Sequence, residues 1–208
     1  MARHIDPKCK LCRREGEKLY LKGDRCFTPK CSITRRSYAP GVHGPNSKTR
    51  PTQYGLQLRE KQKAKNIYGI MERQFSNYFE KATKRIGDTG AFLVQLLEMR
   101  LDNIVFRSGL TKSRALARQL VTHGHITVNG KKVSVPSYQV KEGDIIGLDA
   151  TIGNKVSDED KIRLEKHQAP AWLRLEAKDV TAKVLHVPQG DELKQSFDPT
   201  KIVEFYSR

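Results

Sequence analysis

Residues 100–148 limit the possible folds of this chain more than any other stretch, because they combine two helical patterns with a hairpin pattern. In the first helical pattern, Leu101, Ile104 and Val105 have the spacing of one helix face. Gly109 follows where that helix is expected to end, since glycine readily adopts the positive φ of a helix C-terminus. The pattern predicts a short helix with one buried face.

A second helix is predicted directly after the first. Leu116 and Leu120 are expected to form its buried stripe. Arg114, Arg118 and Thr122 recur every four residues on nearly the opposite face, so the two guanidinium groups are expected to point in one direction. Such a face is either a solvated charged surface or a surface for an anionic partner.

The distribution of charge favours the anionic partner. No acidic residue occurs between Asp102 and Glu142, although acids normally alternate with bases on a solvated helix face. The whole chain has 39 Lys and Arg against 23 Asp and Glu, a net charge of +16. Nucleic acid is the usual partner of such a surface, and an anionic membrane is the weaker alternative.

A β-hairpin is predicted after the second helix. Ile126 and Val128 alternate with polar residues, and the same alternation returns after Asn129 and Gly130. An Asn-Gly pair between alternating segments is a strong hairpin signal, because a type I′ turn needs positive φ at both positions.

His123 and His125 lie at the entry to the hairpin. Two interpretations of this pair are equally open. The histidines either contact the anionic partner or only close the end of the preceding helix.

All four cysteines lie near the N-terminus, at Cys9, Cys12, Cys26 and Cys31. Two short pairs separated by a loop are typical of a tetrahedral thiolate site. Two disulfides are the competing interpretation, but they are disfavoured in an intracellular chain. We predict one structural zinc ion, with an iron-sulfur cluster on the same thiolates as the alternative.

The predicted metal ion is expected to stabilise the fold of the N-terminal segment. The first 45 residues are too basic and too poor in large apolar side chains to bury a core. A structural zinc ion supplies on the order of 10 kcal/mol of folding free energy. It is therefore expected to hold a positively charged arm in a defined shape.

The rest of the chain is predicted to add a helical region and more strands. Helical apolar spacing begins near Leu56 and continues to residue 97. Residues 150–172 are expected to form an exposed acidic loop, a short helix and a proline stop. Alternation after Trp172 predicts one or two strands that complete the sheet begun by the hairpin. The last residues, 201–208, are expected to fold back onto the helical region.

These motifs resemble the uS4 family, that of bacterial small-subunit ribosomal protein four, in its four-cysteine metal-binding form. The similar segments are YGLQLREKQKAKNIYGIMERQF, RLDNIVFRSGL, SRALARQLVTHGHITVNGKKV and PSYQVKEGDII, together with the cysteine-bearing start and the IVEFYSR end. The resemblance covers nearly the whole chain.

An α+β fold is expected on this basis, with a metal-stabilised basic N-terminal arm and a helical domain. The third part is an αL RNA-binding domain, in which two helices pack on a small antiparallel sheet. The expected boundaries are 1–45 for the arm, 46–97 for the helical domain and 98–161 for the RNA-binding domain. Residues 162–208 would form strands and a tail that packs on the helical domain.

The resemblance also implies a function. The chain would be a structural constituent of the small ribosomal subunit in the cytoplasm and a primary binder of the 5′ domain of 16S ribosomal RNA. It would nucleate assembly of the 30S body and, with neighbouring proteins, influence translational accuracy. The implied protein partners are small-subunit ribosomal protein five and other small-subunit proteins. Messenger RNA near its entry path is a further implied partner.

The residues expected at the RNA are basic, aromatic or polar side chains of the arm, the helical domain and the RNA-binding domain. They are Arg13, Arg14, Lys22, Arg35, Arg36, Arg50, Tyr54, Arg59, Lys61, Lys112, Arg114, Arg118, His123, His125, Asn129, Lys131 and Lys132.

Catalysis and membrane insertion are not expected. The sequence has no GxxxxGK[ST], HExxH or GxSxG motif, so neither an enzyme nor a small-molecule substrate is predicted. No stretch approaches the roughly 20 apolar residues that span a bilayer, and the N-terminus lacks the apolar core of a secretory signal.

Two other classes of protein carry the same module. An RNA-modifying or aminoacylating enzyme would need a separate catalytic domain, and only about 60 residues follow the module, too few for one. A stress factor that binds stalled large subunits would lack the cysteine-bearing arm and the YGLQLREKQ segment. Both alternatives are therefore disfavoured.

Overall fold

A computed structural model describes residues 5–46, 50–149, 162, 164, 167–176 and 179–208. The chain divides into two compact units. Unit 1 comprises Met1–Leu93 and Gln195–Arg208, and unit 2 comprises Val94–Lys194.

Unit 1 is helical. Its helices are α1 (Lys8–Glu15), α2 (Ser32–Arg35), α3 (Gln53–Tyr68), α4 (Glu72–Thr83), the first part of α5 (Thr89–Glu98) and α8 (Pro199–Tyr206). Helix α3 begins where the Thr52 side chain accepts a 3.2 Å hydrogen bond from the Gly55 amide, and it ends at Gly69, whose φ is +63°. Helix α8 begins with Asp198 as its cap and Pro199 in its first turn.

The C-terminal helix packs on α3. Gln57 of α3 donates a 2.7 Å hydrogen bond to Glu204 of α8, and the Asp198 amide donates to Glu60 at 2.9 Å. The ring of Tyr206 stacks on Phe79 of α4, with 4.6 Å between centroids. The prediction that the last residues fold back onto the helical region is confirmed.

The described residues of unit 2 include the end of α5, two further short α-helices and a five-stranded sheet. Helices α6 (Leu101–Arg107) and α7 (Arg114–Thr122) precede the strands. The strands are β1 (Ile126–Val128), β2 (Lys131–Lys132), β3 (Ile145–Leu148), β4 (Leu173–Glu176) and β5 (Thr181–Val184). They pair antiparallel in the order β2-β1-β3-β5-β4. The α+β class is confirmed, and the strands after Trp172 complete the sheet as predicted.

One apolar core joins the helices of unit 2 to the sheet. Leu101 and Ile104 of α6 are fully buried, as are Ile126 of β1 and Ile146 of β3. Trp172, just before β4, is buried in the same cluster. Burial of a large apolar side chain contributes roughly 1.5–3 kcal/mol, so these contacts hold α6 and α7 against the strands.

The hairpin turn has the predicted conformation. Asn129 and Gly130 have φ values of +50° and +79°, and Val128 pairs with Lys131. The Asn129 side chain also joins the turn to β3, because its Nδ2 donates to Asp144 at 2.8 Å and its Oδ1 accepts from the Ile145 amide at 2.9 Å.

The predicted buried stripe of α7 is wrong in one position. Leu116 is 40% exposed, whereas Ala117 and Val121 are fully buried and Leu120 is half-buried. The buried face of α7 therefore differs from the predicted one. Arg118 points inward and pairs with Asp102, where an apolar side chain was expected.

The acidic loop, short helix and proline stop were predicted for residues 150–172. Of these, residues 150–161, 163, 165 and 166 lie outside the described residues. The division of the chain into four segments stays a prediction.

Candidate nucleic-acid interface

A buried carboxylate of α6 holds two arginines of unit 2. Asp102 accepts hydrogen bonds from Arg100 at 3.0 Å (Nε to Oδ1) and 2.7 Å (Nη2 to Oδ2). Arg118 Nη1 of α7 reaches the same Oδ2 atom at 3.2 Å. All three side chains are buried. These ion pairs offset the free energy of burying the three charges, which would be high without them.

A second polar network links the end of α5 to α7. Glu98 is buried and accepts hydrogen bonds from Arg107 at 3.0 and 2.9 Å and from Asn103 Nδ2 at 2.8 Å. Asn103 Oδ1 in turn accepts a 2.8 Å hydrogen bond from Arg114 Nε. The Arg114 guanidinium also lies over the Phe106 ring, 4.4 Å from its centroid. The half-exposed Arg114 guanidinium is therefore held in one orientation.

The two predicted arginines of α7 thus have different positions. Arg114 is half-exposed and remains a candidate for contact with an anionic ligand. Arg118 is only 9% exposed and is paired with Asp102, so its principal contact is within the protein.

Around α7 and the hairpin, the other predicted residues are mostly exposed. Lys112, His123 and Lys131 are exposed, and His125 is half-buried, with its ring 6.0 Å from that of His123. Lys132 is exposed as well, and its ammonium lies 3.0 Å from Asp149.

Asn129 is exposed, but its side chain makes the hydrogen bonds that fix the hairpin turn. It therefore has a structural role in the hairpin.

Four of the predicted residues in unit 1 have clear partners within the unit. Arg13 donates to the backbone oxygen of Tyr38 at 3.0 Å and lies over its ring. Tyr54 is about half-exposed and its ring contacts Phe205, with 5.6 Å between centroids. Arg59 lies 3.6 Å from Glu15, across the contact between α3 and α1.

Lys61, the fourth, is placed inside unit 1. Its ammonium contacts Glu72 Oε1 at 2.6 Å and lies over the Phe205 ring at 4.3 Å. The side chain is buried, so the structure gives this lysine an internal role, joining α3 to α4 and α8.

The remaining predicted residues of unit 1 are basic side chains that are exposed or half-exposed. They are Arg14, Lys22, Arg35, Arg36 and Arg50.

The four cysteines line one pocket in the arm. Cys9 and Cys12 are on α1, Cys26 is in a 3₁₀ turn at Gly23–Phe27, and Cys31 directly precedes α2. All four thiols are free of disulfides. In the described part of the chain, however, no three His, Cys, Asp or Glu side chains are close enough to hold a metal ion as they stand.

Backbone amides surround the thiols. The Lys22 amide lies 3.4 Å from Cys26 Sγ. Burial opposes ionisation of Cys31, but hydrogen bonds from the Ile33 and Thr34 amides outweigh it, so its pKa is lowered. Burial raises the pKa of Cys12, and charge on the other three cysteines raises it further. Four thiols on one pocket, with amide donors nearby, fit the donor set of a thiolate metal site.

Sequence reasoning missed the side chains that hold the arginines. Glu98, Asp102 and Asn103 are buried and polar, and together they position Arg114 and Arg118. One signal in the sequence was the position of Glu98 and Asp102 directly before a long stretch without acids. The sequence alone gives no indication that these side chains turn inward.

Comparison with known proteins places the chain in a family. The model for the ribosomal protein S4/S9 N-terminal domain matches residues 3–98, and the model for the S4 domain matches residues 99–146. Among curated proteins, the chain is 54% identical to small ribosomal subunit protein uS4 of Pelotomaculum thermopropionicum and 52% identical to that of Acetivibrio thermocellus. It is 47% identical to the uS4 protein of Natranaerobius thermophilus. Each match covers 100% of both chains.

Among the described residues, the helices are all too short or too polar to cross a membrane.

Proposed function

The chain belongs to the ribosomal protein S4 family, and from this premise we propose that it binds the 5′ domain of 16S ribosomal RNA as a structural protein of the small subunit. The relatives are named as ribosomal proteins, a structural class, in agreement with the expectation that the chain is not an enzyme. The protein would work in cytoplasmic ribosomes.

The observation that carries the proposal is the fixed orientation of Arg114. Its guanidinium is held by Asn103 and Phe106 while it remains half-exposed. Lys112 and Lys131 add exposed positive charge on the same unit. A pre-oriented guanidinium suits a phosphate, because it binds two oxygens with a planar fork without losing further side-chain freedom.

RNA is the anion that best fits such a surface. The base edges of double-stranded RNA lie in a deep, narrow groove, so a protein reads its shape mainly through phosphates and 2′-hydroxyls. A rigid set of cations recognises the spacing of phosphates at a folded junction. Affinity that depends on several phosphate contacts falls steeply with salt, by roughly 10³ to 10⁵ between low and moderate concentrations.

The arm is proposed to hold one zinc ion on Cys9, Cys12, Cys26 and Cys31. Four free thiols on one pocket support this, and an iron-sulfur cluster on the same cysteines is the alternative. The ion would supply folding free energy to a segment with little apolar core. Exposed basic residues of the arm would then face the RNA at fixed positions.

The wider role follows from family membership. We propose that binding of this protein nucleates assembly of the 30S body, and that it influences translational accuracy together with small-subunit protein five and other small-subunit proteins. A position near the messenger entry path belongs to the same proposal.

A salt series tests the RNA proposal. The protein is titrated against 5′-domain ribosomal RNA and against an unrelated structured RNA of equal length. We expect orders-of-magnitude tighter binding to the cognate RNA, with a steep dependence on salt. Equal affinity for both RNAs would contradict the proposal.

Two variants make the test specific. Arg114→Ala is expected to weaken cognate binding by roughly 5- to 150-fold and to reduce the salt slope by about one phosphate contact. Lys194→Ala is the control, because Lys194 is exposed and pairs with the exposed Asp191, 2.8 Å away. It should bind as the unmodified protein does.

A further inference from the structure

Two exposed aromatic rings stack on one another in the arm. The centroids of Tyr20 and Phe27 are 5.0 Å apart, with 30° between the ring planes. Phe27 is 74% exposed and Tyr20 is 44% exposed. Aromatic side chains usually lie in cores, so a stacked pair this exposed leaves a substantial apolar surface in water.

The backbone holds Tyr20 in an unusual conformation. Its φ is +51°, a region that bulky residues rarely adopt. The preceding residue, Leu19, is buried. Two residues later, the Lys22 amide lies 3.4 Å from Cys26 Sγ. The turn that exposes the Tyr20 ring is therefore connected to the cysteine pocket. Contacts of the surrounding arm stabilise the unfavourable backbone conformation of Tyr20.

The pair lies in a positively charged segment. Lys18, Arg25 and Lys30 are exposed, and the described structure gives none of them an acidic partner. Of the two acids nearest to them in the sequence, Glu17 pairs with Lys63 of α3 at 2.8 Å and Asp24 directly precedes Arg25. Exposed rings among unpaired cations are the combination by which proteins bind unpaired nucleotides, since bases stack on the rings and phosphates meet the cations.

We propose that Tyr20 and Phe27 form a stacking platform for an unpaired base of the bound RNA. The platform rests on the proposed RNA-binding function and adds a second kind of contact to it, with a base instead of the phosphate backbone. The charge of the segment favours RNA over a protein partner as the occupant. A base on the exposed face of Phe27 would be held without regard to its identity, because every base has a π-face.

Substitutions of Phe27 test the platform in the full-length protein. Phe27→Ala is expected to weaken binding to 5′-domain RNA by roughly 5- to 150-fold, the usual effect of losing one stacked base. The salt slope should stay unchanged, because no cation is removed. Phe27→Leu should lose as much affinity as Phe27→Ala, whereas Phe27→Trp should retain it.

Ile86→Ala is the matched control, because Ile86 is a fully exposed apolar side chain outside the arm. It should leave affinity unchanged. Wild-type affinity in Phe27→Leu would show that apolar contact is enough, and would overturn the stacking proposal. Unchanged RNA affinity in Phe27→Ala would overturn it as well, and this is the result expected if a protein occupies the platform.

Cross-linking of the unmodified protein covers the case in which a Phe27 variant misfolds. RNA containing 5-iodouridine is bound and irradiated, and the cross-linked peptide is identified by mass spectrometry. We expect a cross-link at Tyr20 or Phe27. Cross-links confined to other segments would overturn the proposal.

The two proposals fail in distinguishable ways. If the unmodified protein does not prefer 5′-domain RNA, the proposed function fails. An unstructured RNA oligomer then tests the platform alone, because Phe27→Ala should still weaken its binding. If the preference is present but Phe27→Ala has no effect, only the platform fails.

Discussion

Asn103 Oδ1 accepts a 2.8 Å hydrogen bond from Arg114 Nε, so a buried amide of α6 sets the direction of a half-exposed guanidinium on α7. The amide is itself oriented, because its Nδ2 donates to the carboxylate and the backbone oxygen of Glu98 at 2.8 and 3.0 Å. Two buried side chains, Glu98 and Asn103, therefore determine the position of Arg114 from inside the unit.

Replacing Asn103 is expected to affect both stability and RNA binding. Asn103→Ala removes one donor from the buried Glu98 and should lower the free energy of unfolding by roughly 1–3 kcal/mol. RNA affinity should fall, but by no more than in Arg114→Ala. The double variant should bind no more weakly than Arg114→Ala alone, since Asn103 acts through Arg114. Additive losses would contradict this relationship. Asn77→Ala, at an exposed position of α4, is the control.

Replacing Asp102 is expected to be more damaging. Asp102→Asn removes the carboxylate that pairs with the buried Arg100 and Arg118, and breaking a buried ion pair typically costs about 3–5 kcal/mol. Urea denaturation should show this loss. The same substitution at the exposed Asp191, which pairs with Lys194, should change stability by less than about 0.5 kcal/mol. Similar effects at both positions would contradict the assigned role of the buried network.

Glu72 makes unit 1 sensitive to acid. Burial opposes its ionisation, but hydrogen bonds from Lys61, Lys65 and Tyr206 outweigh burial and lower its pKa from 4.5 to about 2. Because the pKa is lower in the folded state, the carboxylate stabilises the fold above pH 4.5, and this contribution is lost as the pH falls toward 2. The side chain is 46% exposed, so screening by water limits the effect to about 1 kcal/mol.

Urea denaturation at about pH 6 and about pH 2.5 measures this effect. Glu72→Gln should be less stable than the unmodified protein at the higher pH and nearly equal to it at the lower pH. Glu80→Gln is the control, since Glu80 is an exposed acid of the same helix. A Glu72→Gln deficit that is equal at both pH values would contradict the lowered pKa.

The cysteine site predicts a metal-dependent arm. Elemental measurement of purified protein should give about one zinc per chain, whereas iron with visible absorbance would indicate the cluster instead. Chelation, or Cys12→Ser, should make residues 8–36 sensitive to protease. Ser32→Ala is the control, because Ser32 lines the same pocket without a thiol. Protease resistance unchanged by chelation would contradict a structural metal.

Local patterns in the sequence predicted the hairpin and the later strands. Asn129 and Gly130 fix the turn through their own backbone preferences, so two adjacent residues are enough to predict it. The strands after Trp172 were likewise predicted from alternation alone. Such elements depend on residues that are close together along the chain, so the sequence is enough to predict them.

Long-range pairing was not predictable in the same way. The rule that charged side chains face solvent failed for Arg118 and for Lys61, which are paired with Asp102 and Glu72. Each partner becomes a neighbour only when two helices pack, and nothing in the spacing of either residue indicates it. The inward turn of Arg118 also explains why Leu116 is exposed on α7.

The packing of α8 on α3 has a consequence for the nascent chain. Helix α3 ends at Tyr68 and its partner begins at Pro199, so roughly 130 residues are translated between the two. At about 5–20 residues per second, that interval is on the order of ten seconds. Unit 2 is synthesised completely within it, while the face of α3 that α8 will cover remains in water. Newly made molecules are therefore exposed to aggregation and degradation through this face until α8 has been made and has packed on α3.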